Sequence, residues 1–264
     1  MQTPVKADKS LGQHFLIDEQ VISQLVCAIA PKEGQHLVEI GAGLGALTVP
    51  VLQQAKRLTA IEFDRRVMSA LKAATAIHGK LEIIEADVLR VDLSALAKEA
   101  PLRLIGNLPY NLSSPILFHC LAHRHQIKDM HFMLQKEVVA RIVAQAGSKA
   151  YGRLSIMVQY YCEAESLFEI APEAFNPPPK VDSAVVRLLV RTTPAWEVEE
   201  FAVFERLVRE AFSQRRKMVR KSLRPYFSEA QLADLSIEPT ARPETLGGED
   251  FARMANALSA RVAP

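Results

Sequence analysis

Three glycines and two carboxylates stand where apolar segments end in the first third of the chain. Gly41, Gly43 and Gly45 follow the first such segment, Glu62 closes the next, and Asp87 closes the third. Glycines between a strand and a helix let a ligand approach the backbone and expose N–H groups to it. A carboxylate at Glu62 can accept hydrogen bonds from both ribose hydroxyls, and Asp87 can accept one from an adenine amine. The pattern predicts a site for an adenosine-bearing cofactor.

The glycine spacing discriminates between two kinds of adenosine cofactor. A dinucleotide site favours G-x-G-x-x-G, whereas residues 41–45 read G-x-G-x-G and are preceded by Glu39. This spacing is commoner where S-adenosylmethionine binds, because its amino-acid tail needs close backbone contact but no diphosphate cradle. The alternative is a tight strand-to-helix turn without a ligand. Glu62 and Asp87, at successive strand ends, argue against that alternative.

An amide, a proline and a tyrosine stand together at the end of a fourth apolar segment, in Asn107-Leu108-Pro109-Tyr110. The exocyclic nitrogen of adenine is a poor nucleophile because its lone pair is delocalised into the ring. The Asn107 side-chain oxygen and the Leu108 carbonyl could bind its two hydrogens and localise that lone pair, with Pro109 fixing the turn. Tyr110 offers a flat face for an unstacked base. These residues predict N6 methylation of adenine by positioning and electrostatics; a strand exit with a core tyrosine is the alternative.

Alternating strands and helices must hold these residues. Strand-like apolar runs lie at 36–41, 57–63, 81–87, 102–107 and 131–135, with helical patterns between them. Such alternation predicts an α/β fold with a mostly parallel sheet covered on both faces, and sheets of this kind bind ligands at the carboxyl ends of their strands. Farther along, 154–164 predicts a helix, and 165–170 with 183–191 predict an antiparallel pair at the sheet edge.

After the linker-like segment 192–200 the pattern is helical throughout, which predicts a domain boundary near residue 195. We expect 1–195 to form the cofactor-binding catalytic domain and 196–264 to form a small helical RNA-binding domain. The segment 212–224 carries six basic residues and no acid: Arg215, Arg216, Lys217, Arg220, Lys221 and Arg224. On a continuous helix, three of these arginines would share one face, and stacked like charges favour contact with RNA phosphates.

Composition limits the cellular setting. Of the 264 residues 49% are hydrophobic and 23% are charged, as in globular proteins. No apolar run approaches ~18 residues, and the N-terminus lacks the apolar core of a signal peptide, which argues against a membrane span or secretion. Three widely spaced cysteines without a CxxC pair predict reduced thiols in the cytoplasm. His119 and His123 are four residues apart but lack supporting ligands, so no metal site is expected.

Seven segments carry a resemblance to a known family. They are KSLGQHFL (9–16), EIGAGLG (39–45), GNLPYN (106–111), MHFMLQKEV (130–138), SKAYGRLSI (148–156), FNPPPKVDSAVVRL (175–188) and AFSQRRKMVRKSL (211–223). Across nearly its whole length the chain resembles the KsgA-type ribosomal RNA adenine N6,N6-dimethyltransferases. The resemblance implies a Rossmann-like class I S-adenosylmethionine-dependent methyltransferase with a small C-terminal α-helical domain.

The resemblance also implies residue roles. The family's cofactor positions fall on His14, Leu16, Gly41, Glu62, Asp87 and Asn107. By the same resemblance, Phe175 sandwiches the target base opposite Tyr110. The implied substrate is a pair of adjacent adenosines in the hairpin loop near the 3′ end of 16S ribosomal RNA, within an immature 30S subunit. A monomeric enzyme would give each adenosine two methyl groups, consuming four S-adenosylmethionine molecules and releasing S-adenosylhomocysteine.

Two other interpretations compete with this one. A related family dimethylates a single adenosine of large-subunit RNA and shares the glycine loop and the N-x-P-Y sequence, but the segments FNPPPKVDSAVV and QRRK favour the small-subunit type. The second is a non-enzymatic RNA-binding assembly factor on a methyltransferase scaffold. Intact Glu62, Asp87, Asn107 and Tyr110 argue against lost catalysis.

Overall fold

A computed structural model describes residues 7–8, 12–97, 100–214 and 217–262. Its strands are β1 (Phe15–Leu16), β2 (His36–Ile40), β3 (Arg57–Glu62), β4 (Lys80–Glu85), β5 (Leu102–Asn107), β6 (Ile127–Gln135), β7 (Cys162–Ile170), β8 (Phe175–Asn176) and β9 (Ser183–Val190). Its helices are α1 (Glu19–Ile29), α2 (Thr48–Ala55), α3 (Arg65–Thr75), α4 (Leu93–Leu96), α5 (Ser113–Ala122), α6 (Lys136–Val143), α7 (Arg153–Tyr161), α8 (Phe201–Ser213), α9 (Val219–Ser222), α10 (Glu229–Asp234) and α11 (Gly248–Val262). Within these described residues, every helix is too short or too polar to cross a membrane.

Seven strands form the main sheet in the order β4-β3-β2-β5-β6-β9-β7. Neighbours from β4 to β6 run parallel, whereas β9 is antiparallel to β6. Parallel neighbours need crossover connections, which the intervening helices supply. The predicted α/β fold with a mostly parallel sheet is confirmed. Because β3 and β5 lie on opposite sides of β2, the strand order reverses there, and ligands bind outside the carboxyl ends of strands at such a reversal.

Helix α1 packs its apolar face on the sheet and is fixed at both ends. At its start the Asp18 side chain accepts hydrogen bonds from the second and third backbone N–H groups and so caps the helix. At its end the carbonyls of Ile29 and Ala30 accept from the guanidinium of Arg103. Arg103 on β5 also pairs with Asp129 on β6 at 2.9 Å, and both side chains are buried. This pair therefore ties α1 to the centre of the sheet.

The predicted edge pair is present, but the helix before it is shorter than expected. Helix α7 ends at Tyr161 rather than at 164, and β7 begins at once with Cys162. The Tyr161 carbonyl accepts a hydrogen bond from the N–H of Arg191, at 2.8 Å, instead of continuing the helix. Strands β7 and β9 are then neighbours at the sheet edge.

The chain divides into two compact units. The first comprises Met1–Val139 and Glu165–Val190, and the second comprises Ala140–Ala164 and Arg191–Pro264. The junction at 190 lies close to the predicted boundary near 195, but residues 140–164 group with the C-terminal helices. Aromatic contacts within the second unit give the reason: the Tyr160 ring stacks on Phe201, and the Tyr151 ring meets Phe212 edge-on.

The basic segment does not form one helix. Helix α8 ends at Ser213, and α9 covers only Val219–Ser222. The N–H groups of Val219 and Arg220 donate to the carbonyls of Ala241 and Pro239 instead of to a preceding helical turn. The prediction of a continuous helix here is wrong, because the backbone finds these partners in a later segment and stacked like charges disfavour the helix.

Candidate active site

A cavity of about 290 Å³ lies at the carboxyl ends of β2, β3 and β5, in the first unit. Three named segments line it: the N-terminal strap (12–17), the glycine loop (41–47) and the catalytic loop (107–112). Residues 62–64 and 86–88, which follow β3 and β4, complete the wall. The sheet therefore brings the strand ends singled out in the sequence to one place.

The glycine loop needs glycine for its backbone conformation, and at Gly43 also for its close approach to Phe15. Gly41 and Gly43 have φ values of +76° and +54°, a region that favours glycine. A Cβ on Gly43 would lie 3.3 Å from the ring of Phe15, and one on Gly41 would lie 3.7 Å from the Asn107 carbonyl. The Gly43 N–H donates to the Glu62 carboxylate at 2.8 Å. Both glycines line the cavity as predicted.

Gly45 has a different place. It does not appear in the cavity wall; a Cβ there would lie 3.1 Å from Leu71 on α3, and its φ is +92°. Gly45 is therefore not among the residues that line the cavity, and its predicted contact with the cofactor stays a prediction. The residue instead permits α3 to pack closely against the glycine loop.

Glu62 and Asp87 line the cavity with carboxylates whose orientations are fixed. The two oxygens of Glu62, which is 6% exposed, accept from the N–H groups of Gly43 and Asp64, each at 2.8 Å. One oxygen of Asp87 accepts from the Leu89 N–H at 3.0 Å. Since each carboxylate oxygen carries two lone pairs, both residues keep acceptor capacity for hydroxyl and amine groups of a ligand. This geometry fits the predicted contacts with ribose and adenine.

Glu39 is a further residue of the cavity, beyond the predicted site residues. This side chain lines the cavity, is 2% exposed, and has one carboxyl oxygen without a hydrogen-bond partner among the described residues. Burial raises the pKa of Glu39 to about 7, and the Glu62 carboxylate adds to the rise. A cationic group beside it would stabilise its charged form. The sequence does carry a signal for this role, because Glu39 is an acidic residue inside the apolar strand that precedes the glycines.

The catalytic loop presents two acceptors. The Asn107 side-chain nitrogen donates to the His14 carbonyl at 2.9 Å, so its side-chain oxygen remains the free acceptor. The Leu108 N–H donates to the Met133 carbonyl at 3.2 Å, and no described residue hydrogen-bonds the Leu108 carbonyl. Gly106 sets this position, because a Cβ there would lie 2.4 Å from the Ile40 carbonyl on β2. Pro109 follows in the cavity wall as predicted.

Tyr110 is held by contacts on two sides. Its hydroxyl hydrogen-bonds the hydroxyl of Ser183, and its ring stacks on His14 with centroids 5.5 Å apart and planes 24° apart. The His14 Nδ1–H donates to the Pro177 carbonyl at 2.8 Å. Burial raises the pKa of Tyr110, which keeps the phenol neutral. His14 and Tyr110 both line the cavity and form a flat aromatic wall.

Phe175 is not brought to this wall. It is 2% exposed, lies in the hydrophobic core and is paired with Leu16 in the ladder between β1 and β8. The predicted stacking of the target base on Phe175 has no support in this geometry, because core contacts cover its ring. Leu16, 6% exposed, does reach the cavity wall as predicted. The ring beside Tyr110 is that of His14.

The predicted RNA-contacting residues belong to the second unit. Lys217, Lys221 and Arg224 are exposed, whereas Arg220 forms an ion pair with Glu229 at 3.1 Å. Arg215 and Arg216 lie outside the described residues. A role of this segment in RNA binding stays a prediction.

A parallel sheet with a cavity at the reversal of its strand order, lined by a glycine loop and by carboxylates at the strand ends, is the architecture of enzymes that bind an adenosine cofactor. The model of the family described as "Ribosomal RNA adenine dimethylase" matches residues 5–260. The chain belongs to the ribosomal RNA adenine dimethylase family.

Relatives support this membership over the whole chain. The chain is 58% identical to "Ribosomal RNA small subunit methyltransferase A" of Dichelobacter nodosus, with 97% of each sequence covered. It is 53% identical to the protein of the same name from Xanthomonas campestris pv. campestris, with 95% of each covered.

Two solved structures are similar. A dimethyladenosine transferase from Plasmodium falciparum has a TM-score of 0.80 at 26% identity, covering 94% of this chain and 98% of that one. The 23S rRNA methyltransferase ErmE has a TM-score of 0.74 at 25% identity, covering 93% and 99%.

Proposed function

We propose that this chain is an S-adenosylmethionine-dependent enzyme that dimethylates N6 of adenosines in small-subunit ribosomal RNA. The observation that carries the proposal is the pair of free acceptors, the Asn107 side-chain oxygen and the Leu108 carbonyl, at the edge of a cavity suited to an adenosine cofactor. Family membership and relatives named for the small subunit support the same reaction.

The cavity residues fit the cofactor group by group. S-adenosylmethionine supplies an electrophilic methyl group on a positively charged sulfur. Glu62 would accept from the ribose hydroxyls, and Asp87 would accept from the adenine amine. The orphaned, buried carboxyl of Glu39 suits the cofactor's ammonium group, since an adjacent cation favours the charged carboxylate. The N–H groups of Gly41, Gly43 and Gly45 already donate within the protein, so other N–H groups of the glycine loop would have to bind the carboxylate end.

The catalytic loop prepares the attacking nitrogen without removing a proton first. The two acceptors bind the two N6 hydrogens and localise the lone pair, which can then attack the methyl carbon in line. The bound cofactor would supply the methyl carbon and keep the C–S bonding pair on its sulfur, and the methylated nitrogen would release one proton to water. The Tyr110 ring holds the flipped base, with stacking worth about 1–3 kcal/mol. Because these groups are fixed beforehand, catalysis comes from positioning and electrostatics.

The finer substrate assignment is also part of the proposal. The acceptors would be two adjacent adenosines in the hairpin loop near the 3′ end of 16S RNA, within an immature 30S subunit. The protein would act as a monomer in the cytoplasm, with the catalytic domain at 1–195, apart from residues 140–164 that group with the second unit, and the RNA-contacting domain at 196–264. The exposed basic residues Lys217, Lys221 and Arg224 support an RNA-facing surface in the second domain. A second methylation must proceed with one N–H left, so the base has to be re-seated between rounds.

Unmethylated 30S particles incubated with the protein and methyl-labelled S-adenosylmethionine test this function. We expect four methyl groups per particle, mapped as two adjacent dimethyladenosines in 16S RNA, and none in 50S particles. Label in 23S RNA instead would favour the large-subunit type. RNA binding without label transfer would favour the non-enzymatic assembly factor.

A further inference from the structure

The N-terminal strap (12–17) forms one wall of the cavity and is fixed at its two ends by different means. At its C-terminal end, Leu16 pairs with Phe175 in a backbone ladder, and the N–H of Ile17 donates to the Ala174 carbonyl at 2.9 Å. Leu16 and Phe175 are also buried in the hydrophobic core. This end is part of the folded core and is held by backbone bonds and apolar burial together.

The N-terminal end of the strap is held mainly by polar side chains, together with one long backbone hydrogen bond from the Gln13 N–H to the Asp8 carbonyl at 3.3 Å. The Gln13 amide nitrogen donates to the carboxylate of Asp64 at 2.8 Å, and the Gln13 amide oxygen accepts from the N–H of Asp8 at 2.8 Å. The guanidinium of Arg66 bridges the carboxylates of Asp64 and Asp8 at 2.7 and 3.3 Å. Gln13 and Arg66 are both partly exposed, so water can compete for these bonds. Detaching this end of the strap from the protein should therefore cost less free energy than detaching the C-terminal end.

Asp64 connects the strap to the ribose site. Its side chain caps α3 by accepting from the Arg66 N–H at 3.0 Å, while its own N–H donates to the Glu62 carboxylate at 2.8 Å. The Arg66 guanidinium holds the pKa of Asp64 at about 2, so this acceptor is charged at neutral pH. Gln13 therefore donates to the carboxylate of Asp64, and the backbone N–H of the same residue orients Glu62.

The strap also covers the glycine loop. The ring of Phe15, in the strap, packs against Gly43 of the glycine loop. A Cβ added to Gly43 would lie only 3.3 Å from this ring. A cofactor bound against the glycine loop, Glu62 and Asp87 would be enclosed by the strap on its remaining side. Four rounds of methyl transfer would need repeated exchange of this cofactor, and each exchange would be easier with the strap open.

We propose that the Gln13–Asp64 hydrogen bond is a latch that closes the strap over the bound cofactor, which makes Gln13 a positioning residue that sets cofactor residence time. The inference rests on the proposed function for the identity of the cofactor. Gln13 acts on Asp64 and the strap, away from the reacting nitrogen, so it should change cofactor binding and dissociation while leaving the methyl-transfer step at saturation unchanged.

Charge repulsion at the latch gives a sharp test. Gln13→Glu keeps the size of the side chain and its bond from the Asp8 N–H but places a second carboxylate against Asp64. The double variant Gln13→Glu/Asp64→Asn restores one donor and one acceptor, since an asparagine at 64 can donate to the new carboxylate and still cap α3. Gln20→Glu is the matched control, because Gln20 is exposed on α1 and belongs to neither strap nor cavity.

The primary readout is the dissociation rate of S-adenosylhomocysteine from the purified full-length chain, measured by stopped-flow displacement. Loss of a hydrogen bond to a charged group predicts that Gln13→Glu dissociates about 10-fold or more faster, while the double variant returns towards the wild-type rate. Single-turnover methyl transfer at saturating S-adenosylmethionine should match the wild type, because Gln13 contacts no reacting atom. The melting temperature of Gln13→Glu should fall, because the Gln13–Asp64 bond is also made in the free protein. Arg66→Gln, which loosens the same end, should accelerate dissociation in the same direction.

The outcomes separate the latch from the function on which it rests. An unchanged dissociation rate in Gln13→Glu, or an increase that the double variant does not reverse, would overturn the latch. A fall in the saturated methyl-transfer rate with unchanged dissociation would also overturn it. If the wild-type chain failed to bind S-adenosylhomocysteine at all, the proposed function would fail together with the latch.

Discussion

Replacing Glu62 by glutamine changes one atom of the cofactor site and leaves its shape intact. In the structure both carboxylate oxygens accept backbone N–H groups, from Gly43 and Asp64, at 2.8 Å. A glutamine keeps one oxygen, but its NH₂ group must face the other N–H, donor against donor. The side chain is 6% exposed, so water cannot readily take the lost partner's place.

The expected losses of stability and of cofactor affinity follow from the number of hydrogen bonds lost. One charge-assisted hydrogen bond disappears in the free protein, which should lower the free energy of unfolding by about 1.5–3 kcal/mol. The ribose also loses an ionised acceptor, and a similar loss on binding weakens affinity by about 10- to 150-fold.

Calorimetric titration with S-adenosylhomocysteine and urea unfolding of the free protein measure the two effects separately. Glu82→Gln is the matched control, because Glu82 is exposed on β4 and lies outside the cavity; it should leave both quantities unchanged. If Glu62→Gln bound S-adenosylhomocysteine with wild-type affinity, the assignment of Glu62 to the ribose would be refuted.

Two further predictions concern a core residue and a buried acid. Phe175→Leu should lower the free energy of unfolding by about 1–3 kcal/mol because the ring is buried in the core, with S-adenosylhomocysteine affinity retained; unchanged stability with methyl transfer lost would restore the base-stacking role. Since burial raises the pKa of Glu39 from 4.5 to about 7, the folded protein binds a proton that the unfolded chain releases in that range. Stability of the free protein should therefore fall as pH rises from about 4.5 through 7, by up to about 3 kcal/mol. Urea unfolding at pH 5 and pH 8 should show this loss in the wild type and a smaller one in Glu39→Gln; equal losses would contradict it.

Strand ends were predictable because the information is local. Apolar runs followed by Gly41, Glu62 and Asn107 predict buried parallel strands, and parallel strands deliver their carboxyl ends to one edge of the sheet. The structure places these three residues around the same cavity.

Features that depend on distant partners were not predictable. The burial of Phe175 results from its pairing with Leu16, far away in the sequence, and the break in the basic segment results from backbone bonds to 239–241. The sequence showed that Gly45 is a glycine in a loop, but not that Leu71 rather than a ligand lies against it. Likewise, aromatic contacts of Tyr160 assign residues 140–164 to the second unit, although their own pattern gives no sign of it.

The central claim is that the Asn107 side-chain oxygen, together with the Leu108 carbonyl, holds the adenine amino group for attack. Asn107→Ala removes that oxygen together with the bond from the Asn107 amide nitrogen to the His14 carbonyl, and leaves the Leu108 carbonyl in place. Single-turnover methyl transfer to unmethylated 30S particles at saturating S-adenosylmethionine is the most direct measurement, with S-adenosylhomocysteine affinity as its control. Removal of one preorganised group should lower the rate by about 10²–10³-fold or more, with the cofactor site still filled. A rate close to that of the wild type would contradict the mechanism.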